Sequence, residues 1–149
     1  MRILIQRVTS ANVVVMGSIT GAIDVGLLLL VGVTHGDTEA IEDRMADKVV
    51  KLRVFNDEKG LMNRSVIDVA GGILAVSQFT LYADAKGGNR PSYTNAARPE
   101  QASPAFDRFV AKLAARLGKH VFTGVFGADM KVTLVNDGPV TIWLDSEIL

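Results

Sequence analysis

The sequence predicts a single α/β domain over residues 1–149, with a mixed sheet and two helices packed on one side of it. Three observations lead to this prediction. The chain has 149 residues, 48% of them hydrophobic, which is enough for one domain with a substantial core. Runs rich in Ile, Leu and Val occur throughout the chain, and two segments with helical periodicity lie between them. Strands before and after each helix are typical of one α/β domain.

The amino-terminal part of the chain predicts a meander of strands. Residues 2–8 and 11–16 are rich in aliphatic and β-branched residues and predict two strands. Gly17-Ser18 offers a two-residue turn into a third strand at residues 19–23. The continuous apolar run 27–33, bounded by glycine and polar residues, predicts a strand buried on both faces at the centre of the sheet.

Two amphipathic helices are predicted. The first covers residues 38–53, and Asp37 or Thr38 can cap its start. Its apolar positions recur at helical spacing: Ile41, Met45, Val49 and Leu52. The second ends at Gly118, and its apolar stripe consists of Phe106, Phe109, Val110, Leu113 and Leu117. Either Pro99 or Pro104 can hold its first position, but not both, because proline inside a helix costs about 3 kcal/mol.

Two polar segments follow or interrupt apolar runs. A strand over residues 73–76 delivers Ser77-Gln78-Phe79-Thr80 at its carboxyl end. Near the end of the chain, Asn136-Asp137-Gly138-Pro139 lies between the apolar runs 132–135 and 141–144. Because Asp-Gly between such runs is a strong hairpin signal, the two runs predict two final strands joined by a tight turn.

The charge pattern argues against non-specific nucleic-acid binding. With 16 basic and 16 acidic residues the chain is formally neutral, so any RNA contact must be local. One local group is Lys86, Arg90 and Arg98 in a predicted loop over residues 85–99 that contains no acid. A second lies on one face of the second helix and consists of Arg108, Lys112, Arg116 and Lys119. We interpret that face first as an exposed, solvated surface, with phosphate contacts as the alternative.

The residue inventory excludes several kinds of site. There is no cysteine, and the two histidines, His35 and His120, lie outside both polar segments, so a histidine-activated nucleophile and a zinc site have little support. No phosphate-binding glycine loop is present. A candidate site must consist of hydroxyls, amides and main-chain groups, which can stabilise an oxyanion and position a water or a substrate hydroxyl. An activated ester suits such a site.

The two polar segments together resemble the signature pair of the D-aminoacyl-tRNA deacylases. The resemblance spans essentially the whole chain and includes residues 2–8, 88–93 and 126–130. It implies mainly antiparallel sheets in a barrel-like, layered arrangement. It also implies that Ser77, Gln78, Phe79 and Thr80 form the ester-binding strand end. Thr80 is the nucleophile in one view, and main-chain donors at Gln78 and Phe79 act in another, which the scarcity of histidine favours.

The same resemblance implies a homodimer with active sites at the subunit interface. Gly138-Pro139 would have a cis peptide bond, enter the partner subunit's site and screen chirality through main-chain groups. Arg7 would hold this segment, Asn136 would belong to the same screen, and Phe126 and Met130 would flank the terminal adenosine of tRNA. The expected phosphate contacts are Lys86, Arg90, Arg108, Lys112 and Arg116.

The sequence therefore predicts a hydrolase that cleaves D-aminoacyl-tRNA at the tRNA 3′ end, without metal or cofactor. Glycyl-tRNA, including glycine mischarged on tRNA-Ala, is a further expected substrate. The longest apolar run, residues 25–33, is too short for a membrane span, and the early charges at Arg2 and Arg7 leave no signal-peptide core. We therefore expect a cytoplasmic protein. Two alternatives are a relative with a trans Gly-Pro that edits another mischarged tRNA, and a dimeric nucleic-acid-binding module without catalysis.

Overall fold

The sheet is organised around one long strand at the start of the chain. The computed structural model describes residues 1–149. Its elements in chain order are β1 (Arg2–Val15), β2 (Ser18–Ile23), β3 (Gly26–Gly32), α1 (Glu39–Lys51), β4 (Phe55–Asn56), β5 (Met62–Arg64), β6 (Gly72–Ser77), a 3₁₀ turn (Phe79–Tyr82), α2 (Pro99–Leu117), β7 (Phe122–Thr123) and β8 (Lys131–Asp145). The predicted single domain with two main helices and a mixed sheet is confirmed.

The sheet is antiparallel around β1 and parallel towards β7. β2 and β3 pair with successive parts of one edge of β1, and β8 pairs along its other edge, all antiparallel. β3 continues to β6 and β6 to β7 through parallel pairings. β2 then approaches β7 closely, since a Cβ built on Gly21 would lie 2.6 Å from the carbonyl oxygen of Thr123. The mixed sheet is therefore nearly closed into a barrel.

The first strands differ from their predicted bounds in two places. Residues 2–8 and 11–16 do not form two strands, because both belong to the single strand β1, whose ladders contain register shifts. The turn into β2 is formed by Met16 and Gly17, both with positive φ, instead of Gly17-Ser18. Two positive φ values match the twist that a tight hairpin turn requires. The central strand is confirmed as β3, which is largely buried.

The two final strands predicted around Asp137-Gly138 are one strand. Both parts of β8 pair with β1, with Gln6 opposite Thr141 and Val8 opposite Asn136. Only Arg7 of β1 lies between these two pairs, so residues 137–140 of β8 have no partners in β1 and extend out of the ladder. The hairpin prediction is wrong because the chain continues in the same direction after this insertion, which we call the Gly138–Pro139 bulge (residues 137–140).

Both helices lie close to their predicted positions. Thr38 caps α1, and its Oγ1 accepts a hydrogen bond from the N–H of Ile41 at 3.4 Å. α2 begins at Pro99 and ends at Gly118, whose φ of 77° is the left-handed conformation that glycine adopts readily. Pro104 lies inside α2, where it cannot donate the hydrogen bond that an interior residue normally makes. Neither helix is long and apolar enough to cross a membrane.

Apolar side chains form a layer on each face of the sheet. The larger cluster lies between the sheet and the helices and includes Leu27, Leu29, Met45 and Phe109. A smaller cluster on the opposite face includes Leu28, because successive side chains of β3 point to opposite faces of the sheet. Because residues of both helices belong to the larger cluster, the prediction that the helices pack on one side of the sheet is confirmed.

The basic face of α2 is only partly exposed, and its charges have partners. Arg108 and Lys119 are exposed, while Lys112 and Arg116 are partly buried. The side chains reach the acidic face of α1 in a ladder of ion pairs: Arg108 with Glu42 at 2.7 Å, Lys112 with Asp43 at 2.6 Å, and Arg116 with Asp43 at 2.9 Å and Asp47 at 2.5 Å. Lys119 donates to the carbonyl of Ala70. The prediction of a solvated face is therefore only partly right, because helical spacing places charges on one face but does not reveal which neighbour that face meets.

Candidate active site

The first polar segment forms a strand end followed by a tight turn. Ser77 is the last residue of β6 and pairs with Val31 of β3. The N–H of Gln78 donates to the carbonyl oxygen of Val31 at 2.8 Å, and the turn Phe79–Tyr82 begins directly after it. This turn, which we call the Phe79–Tyr82 turn, thus lies at the carboxyl end of two parallel strands, a usual position for a site in an α/β sheet.

The start of the Phe79–Tyr82 turn presents main-chain donors. The first N–H groups of a helical turn have no acceptor within it, and the Gln78 side chain makes no capping hydrogen bond. Phe79 and Thr80 occupy these first positions, whereas the N–H of Leu81 already donates to the carbonyl of Gln78 at 3.3 Å. The N–H of Gln78, which the resemblance implied as a donor, is already bonded to Val31 and is not available to a substrate. Phe79 and Thr80 therefore carry the N–H groups that can donate to a developing oxyanion.

The Thr80 hydroxyl lies beside a neutral amide. Its Oγ1 accepts a short hydrogen bond from Nε2 of Gln78, and no histidine or carboxylate is bonded to it. A neutral amide cannot remove the hydroxyl proton, so Thr80 lacks the adjacent base that activates a nucleophilic hydroxyl in other hydrolases. The arrangement suits stabilisation and positioning by the main chain rather than attack by a side chain.

Gly32 allows the Phe79–Tyr82 turn to pack directly on β3. A Cβ built on Gly32 would lie 3.1 Å from the carbonyl oxygen of Gln78 and 3.1 Å from Cβ of Leu81, closer than most such contacts in proteins. It would also lie 3.2 Å from the ring of Tyr82. The absence of a side chain at Gly32 therefore determines how close the turn lies to the sheet.

Arg2 fixes the other end of the turn. Its Nη1 donates to the carbonyl oxygen of Leu81 at 3.1 Å, its Nε donates to Asp145 at 2.9 Å, and its guanidinium lies 4.5 Å from the ring centroid of Tyr82. Burial raises the pKa of Asp145, but hydrogen bonds from the N–H of Glu147 and from Arg2 outweigh it, so this pKa lies below its ordinary value. Burial raises the pKa of Tyr82, whose hydroxyl has no hydrogen-bond partner.

The Phe79 side chain packs against one aromatic neighbour. Phe79 is 57% exposed, and its ring packs edge-on against Tyr93, with ring centroids 5.0 Å apart. The two predicted adenosine-flanking residues, Phe126 and Met130, follow β7 and are both half-buried. Phe126 packs against the ring of Phe106, with centroids 6.5 Å apart, and Met130 packs on the smaller apolar cluster. Their contact with adenosine stays a prediction.

The Gly138–Pro139 bulge is exposed and closed at its base by one side chain. Oδ1 of Asn136 accepts from the N–H of Val140 at 3.3 Å, and its Nδ2 donates to Oγ1 of Thr141 at 2.9 Å. The peptide bond between Gly138 and Pro139 is cis. Gly138 has a φ of 123°, a conformation that L side chains rarely adopt, so glycine is required at this position.

Arg7 holds the bulge from below. It is only 8% exposed, and it donates through Nε to the carbonyl of Asp137 at 3.1 Å and through Nη1 to the carbonyl of Val54 at 2.7 Å. Nε also lies 3.3 Å from the Asp137 carboxylate. A Cβ on Gly138 would lie 2.9 Å from Nη2 of Arg7, which is a second reason for glycine there.

One chain does not bring the bulge and the turn together. The bulge lies opposite Arg7, which pairs with Leu27, and Leu27 pairs with Ile73, four residues before Ser77. At about 3.3 Å per residue along a strand and about 4.8 Å between strands, the two segments are roughly 13 Å apart along the sheet and roughly 14 Å apart across it. The two segments therefore lie at separate places on one chain.

Comparison with known proteins identifies the family. The model of the D-Tyr-tRNA(Tyr) deacylase family matches residues 4–145. The chain belongs to this family. It is 58% identical over 148 residues to a D-aminoacyl-tRNA deacylase of Dechloromonas aromatica, with 99% of each chain covered. It is 61% identical over 146 residues to one of Chromobacterium violaceum, with 98% of this chain and 97% of the relative covered. The family assignment made from the sequence is confirmed.

Solved structures of two proteins match this deacylase-family chain over almost its whole length. One is named c-Myc DNA Unwinding Element Binding Protein and aligns with a TM-score of 0.90 at 40% identity, covering 97% of this chain and 98% of the other. The second is a probable eukaryotic D-amino acid tRNA deacylase with a TM-score of 0.83 at 15% identity, covering 96% and 97%. The second similarity shows the shared fold.

Two residues of this deacylase-family chain that shape the site were not among the predicted site residues. Gly32 interrupts an apolar strand, and glycine within a strand often marks a close backbone approach, so the sequence contained a signal for it. Arg2 had no such signal, because its contact with Leu81 depends on a strand pairing distant in sequence.

Proposed function

We propose that this protein hydrolyses the ester bond of D-aminoacyl-tRNA and releases the D-amino acid and tRNA. The observation that carries the proposal is the Phe79–Tyr82 turn, which presents N–H donors at a strand end without a side-chain base. An aminoacyl ester is already activated, so positioning and oxyanion stabilisation supply most of what its hydrolysis needs. The relatives named D-aminoacyl-tRNA deacylase support the same substrate class.

In this mechanism the main chain stabilises the transition state. The ester carbonyl lies against the N–H groups of Phe79 and Thr80 while water attacks. These groups donate hydrogen bonds that stabilise the negative charge developing on the carbonyl oxygen. Removing one such donor typically costs about 100-fold to 1000-fold in turnover. The ribose hydroxyl next to the ester helps to position the water. The side chain of Gln78 keeps the Thr80 hydroxyl oriented.

The chirality screen in this proposal belongs to a homodimer. The Gly138–Pro139 bulge of one subunit enters the partner's site, where its carbonyls bind the ammonium of a D-aminoacyl group and its backbone collides with an L side chain. The exposure of the bulge, its fixation by Arg7 and Asn136, and its separation from its own Phe79–Tyr82 turn support this arrangement. Glycine has no side chain to clash, so glycyl-tRNA, including glycine mischarged on tRNA-Ala, is also a substrate.

The proposed partner is the 3′ end of aminoacylated tRNA in the cytoplasm. Phe126 and Met130 flank the terminal adenosine, and the exposed Lys86 and Arg90 contact phosphates near the turn. Arg108, Lys112 and Arg116 are less favoured as phosphate contacts, because all three are already engaged in ion pairs with α1.

The activity is tested with matched enantiomers. The purified protein is incubated with D-tyrosyl-tRNA and with L-tyrosyl-tRNA, and the release of each amino acid is measured over time. We expect rapid release of the D enantiomer and almost none of the L enantiomer. Equal rates for the two substrates would refute the proposed chirality screen, and no release from either would refute the proposed hydrolase.

The role of Thr80 is tested by Thr80→Ala. Because the main chain acts in the proposed mechanism, we expect kcat to stay within about 10-fold of the wild-type value, the loss reflecting only the missing contact with Gln78. A covalent nucleophile would instead be indispensable. A loss of turnover on the scale seen for removed nucleophiles, about 10⁶-fold, would reassign the chemistry to the Thr80 hydroxyl.

The shared site is tested by mixing two impaired variants. Gly138→Val damages the bulge, and Gly32→Ala displaces the turn. A heterodimer of the two has one site with both defects and one site with neither. If sites are shared between subunits, refolding an equal mixture raises the activity above that of either variant alone. No restoration despite heterodimer formation would place each site within one chain.

A second candidate is a nucleic-acid-binding protein without catalysis. It is favoured by the similarity to the structure named c-Myc DNA Unwinding Element Binding Protein. The enantiomer assay separates the two functions, since a binding module would retain tRNA or DNA without releasing either amino acid.

A further inference from the structure

Four basic side chains form a cluster that the proposed site does not use. The cluster lies along α1 and just after it, and it consists of Arg44, Lys48, Lys51 and Arg53. All four side chains are exposed, and none forms an ion pair. We call this cluster the α1 basic patch. It lines an open depression of about 510 Å³. Arg44 donates to the carbonyl of Ser146 at 2.7 Å and to an oxygen of Leu149 at 3.3 Å.

The patch has an excess of basic side chains in a neutral protein. The chain as a whole has 16 basic and 16 acidic residues, and the cations of α2 are engaged by the acidic face of α1. Asp47 is the single acidic residue lining the depression, and its carboxylate is bonded to Arg116 at 2.5 Å. A local excess of lysine and arginine is complementary to the phosphates of a nucleic-acid backbone.

The patch lies beside the Gly138–Pro139 bulge. Arg53 directly precedes Val54, and the carbonyl of Val54 accepts a hydrogen bond from Arg7 at 2.7 Å. The same arginine holds Asp137 in the bulge. α1 starts after the carboxyl end of β3 and packs back along the sheet, so its last turn approaches the level of Arg7 and the bulge.

We propose that the α1 basic patch binds backbone phosphates of the tRNA whose 3′ end occupies the partner subunit's site. This inference rests on the proposed function, in which the bulge of one subunit enters the site of the other. A patch next to the bulge then flanks the partner's site, where the duplex adjoining the tRNA 3′ end must approach. One subunit thus hydrolyses the ester while the other contacts the body of the same tRNA.

The experiment compares charge reversal with charge conservation in the patch. Lys48→Glu/Lys51→Glu reverses two exposed charges, Lys48→Gln/Lys51→Gln neutralises them, and Lys48→Arg/Lys51→Arg keeps them as a matched control. For each protein, the Kd of uncharged tRNA is measured from 50 to 200 mM salt. Hydrolysis is measured with D-tyrosyl-tRNA and with D-tyrosyl-adenosine, which has the ester but no phosphates.

We expect the reversed variant to bind tRNA at least 10-fold more weakly at low salt. The slope of log K against log salt should fall by about 2, one unit for each lost phosphate contact. KM for D-tyrosyl-tRNA should rise, while hydrolysis of D-tyrosyl-adenosine and all properties of the arginine control stay at wild-type values. The neutral variant should have a Kd and a salt dependence between those of the reversed variant and the wild-type protein. If charge reversal impairs folding, the neutral variant tests the same loss of phosphate contacts.

Unchanged Kd and unchanged salt dependence in the neutral and reversed variants would overturn the proposal. So would an equal loss with D-tyrosyl-adenosine, because that substrate has no phosphate to contact. Failure of the proposed function gives a different result: the wild-type protein would release neither enantiomer, yet the patch variants would still weaken tRNA binding.

Discussion

The bulge and the helix pair use arginine in opposite ways. Arg116 meets carboxylates across the two helices and remains partly exposed, whereas Arg7 is 8% exposed and donates to two main-chain carbonyls. Water can replace an exposed ion-pair partner, so such pairs contribute little to stability. Buried carbonyls have no other donor available. Main-chain geometry at the site should therefore depend on single arginines, while the packing of the helices should not.

Replacing Arg7 should give the largest effect. Arg7→Met leaves the carbonyls of Asp137 and Val54 without their donor. The bond to Val54 is buried, and a buried unsatisfied acceptor costs about 1–3 kcal/mol, whereas water can reach the exposed residue Asp137. We expect the free energy of unfolding in urea to fall by about 1–3 kcal/mol. We also expect kcat/KM for D-aminoacyl-tRNA to fall at least 100-fold, because displacement of a site element by about 1 Å has such an effect.

Arg7→Lys is the matched control, because it keeps the charge but cannot reach both carbonyls. It should lie between Arg7→Met and the wild-type protein in both measurements. Activity of Arg7→Met within about 3-fold of wild type, or about 0.7 kcal/mol in transition-state stabilisation, would contradict the importance of this fixation.

Adding one methyl group under the turn should give the next largest effect. Gly32→Ala places a Cβ 3.1 Å from the carbonyl oxygen of Gln78, so the Phe79–Tyr82 turn must move outward by a few tenths of an ångström. We expect kcat to fall about 10-fold with KM nearly unchanged, because the N–H donors act mainly on the transition state. Steady-state hydrolysis of D-aminoacyl-tRNA measures both constants.

Gly36→Ala is the control for this substitution. A Cβ at Gly36 meets nothing within 4 Å, and its φ lies outside the left-handed region, so activity and stability should be unchanged. If Gly32→Ala raises KM and leaves kcat at the wild-type value, the turn acts on substrate binding rather than on the transition state.

Replacing Arg2 should have a smaller effect, because Arg2 fixes only one carbonyl of the turn. Arg2→Met removes the bond to Leu81, and one hydrogen bond to a charged donor contributes about 1.5–3 kcal/mol. Part of this is compensated by water, since the Arg2 side chain is 29% exposed. We expect kcat to fall about 3-fold to 10-fold, with partial recovery in Arg2→Lys. Wild-type kcat in Arg2→Met would show that Gly32 alone determines the position of the turn.

The helix ladder should give the smallest effect, and one that disappears in acid. Hydrogen bonds from Lys112 and Arg116 hold the pKa of Asp43 below 3.8, and one from Arg116 does the same for Asp47. A carboxyl whose pKa is lower in the folded state stabilises the fold above its unfolded value and loses this contribution as the pH falls through the folded value. The stabilisation should therefore be complete at neutral pH and decline below about pH 4.

Asp43→Asn/Asp47→Asn tests the ladder. The midpoint of thermal unfolding should decrease less steeply between about pH 5 and about pH 2.5 in this variant than in the wild-type protein. At pH 7 its activity should be unchanged and its loss of stability smaller than that of Arg7→Met. Identical pH dependence of the two proteins would show that these pairs do not stabilise the fold.

Much of the fold could be predicted because its signals are local. The periodicity of α1, the cap at Thr38, the end of α2 at Gly118 and the buried run of β3 each depend on residues within a few positions of one another. The bulge was misread as a hairpin because Asp-Gly and proline between apolar runs look the same in both structures. Only the pairing of both runs with β1 distinguishes them.

The sequence by itself determined the family, the single α/β domain, and the two segments that carry the candidate site. It could do so because the resemblance depends on the order of residue types within short segments, such as Ser77-Gln78-Phe79-Thr80 and Gly138-Pro139. The resemblance also implied that Arg7 holds the Gly138–Pro139 bulge. The tertiary structure alone decided that Arg2 holds the Phe79–Tyr82 turn and that the basic face of α2 meets α1, because strand pairing and helix packing join segments that no local pattern connects.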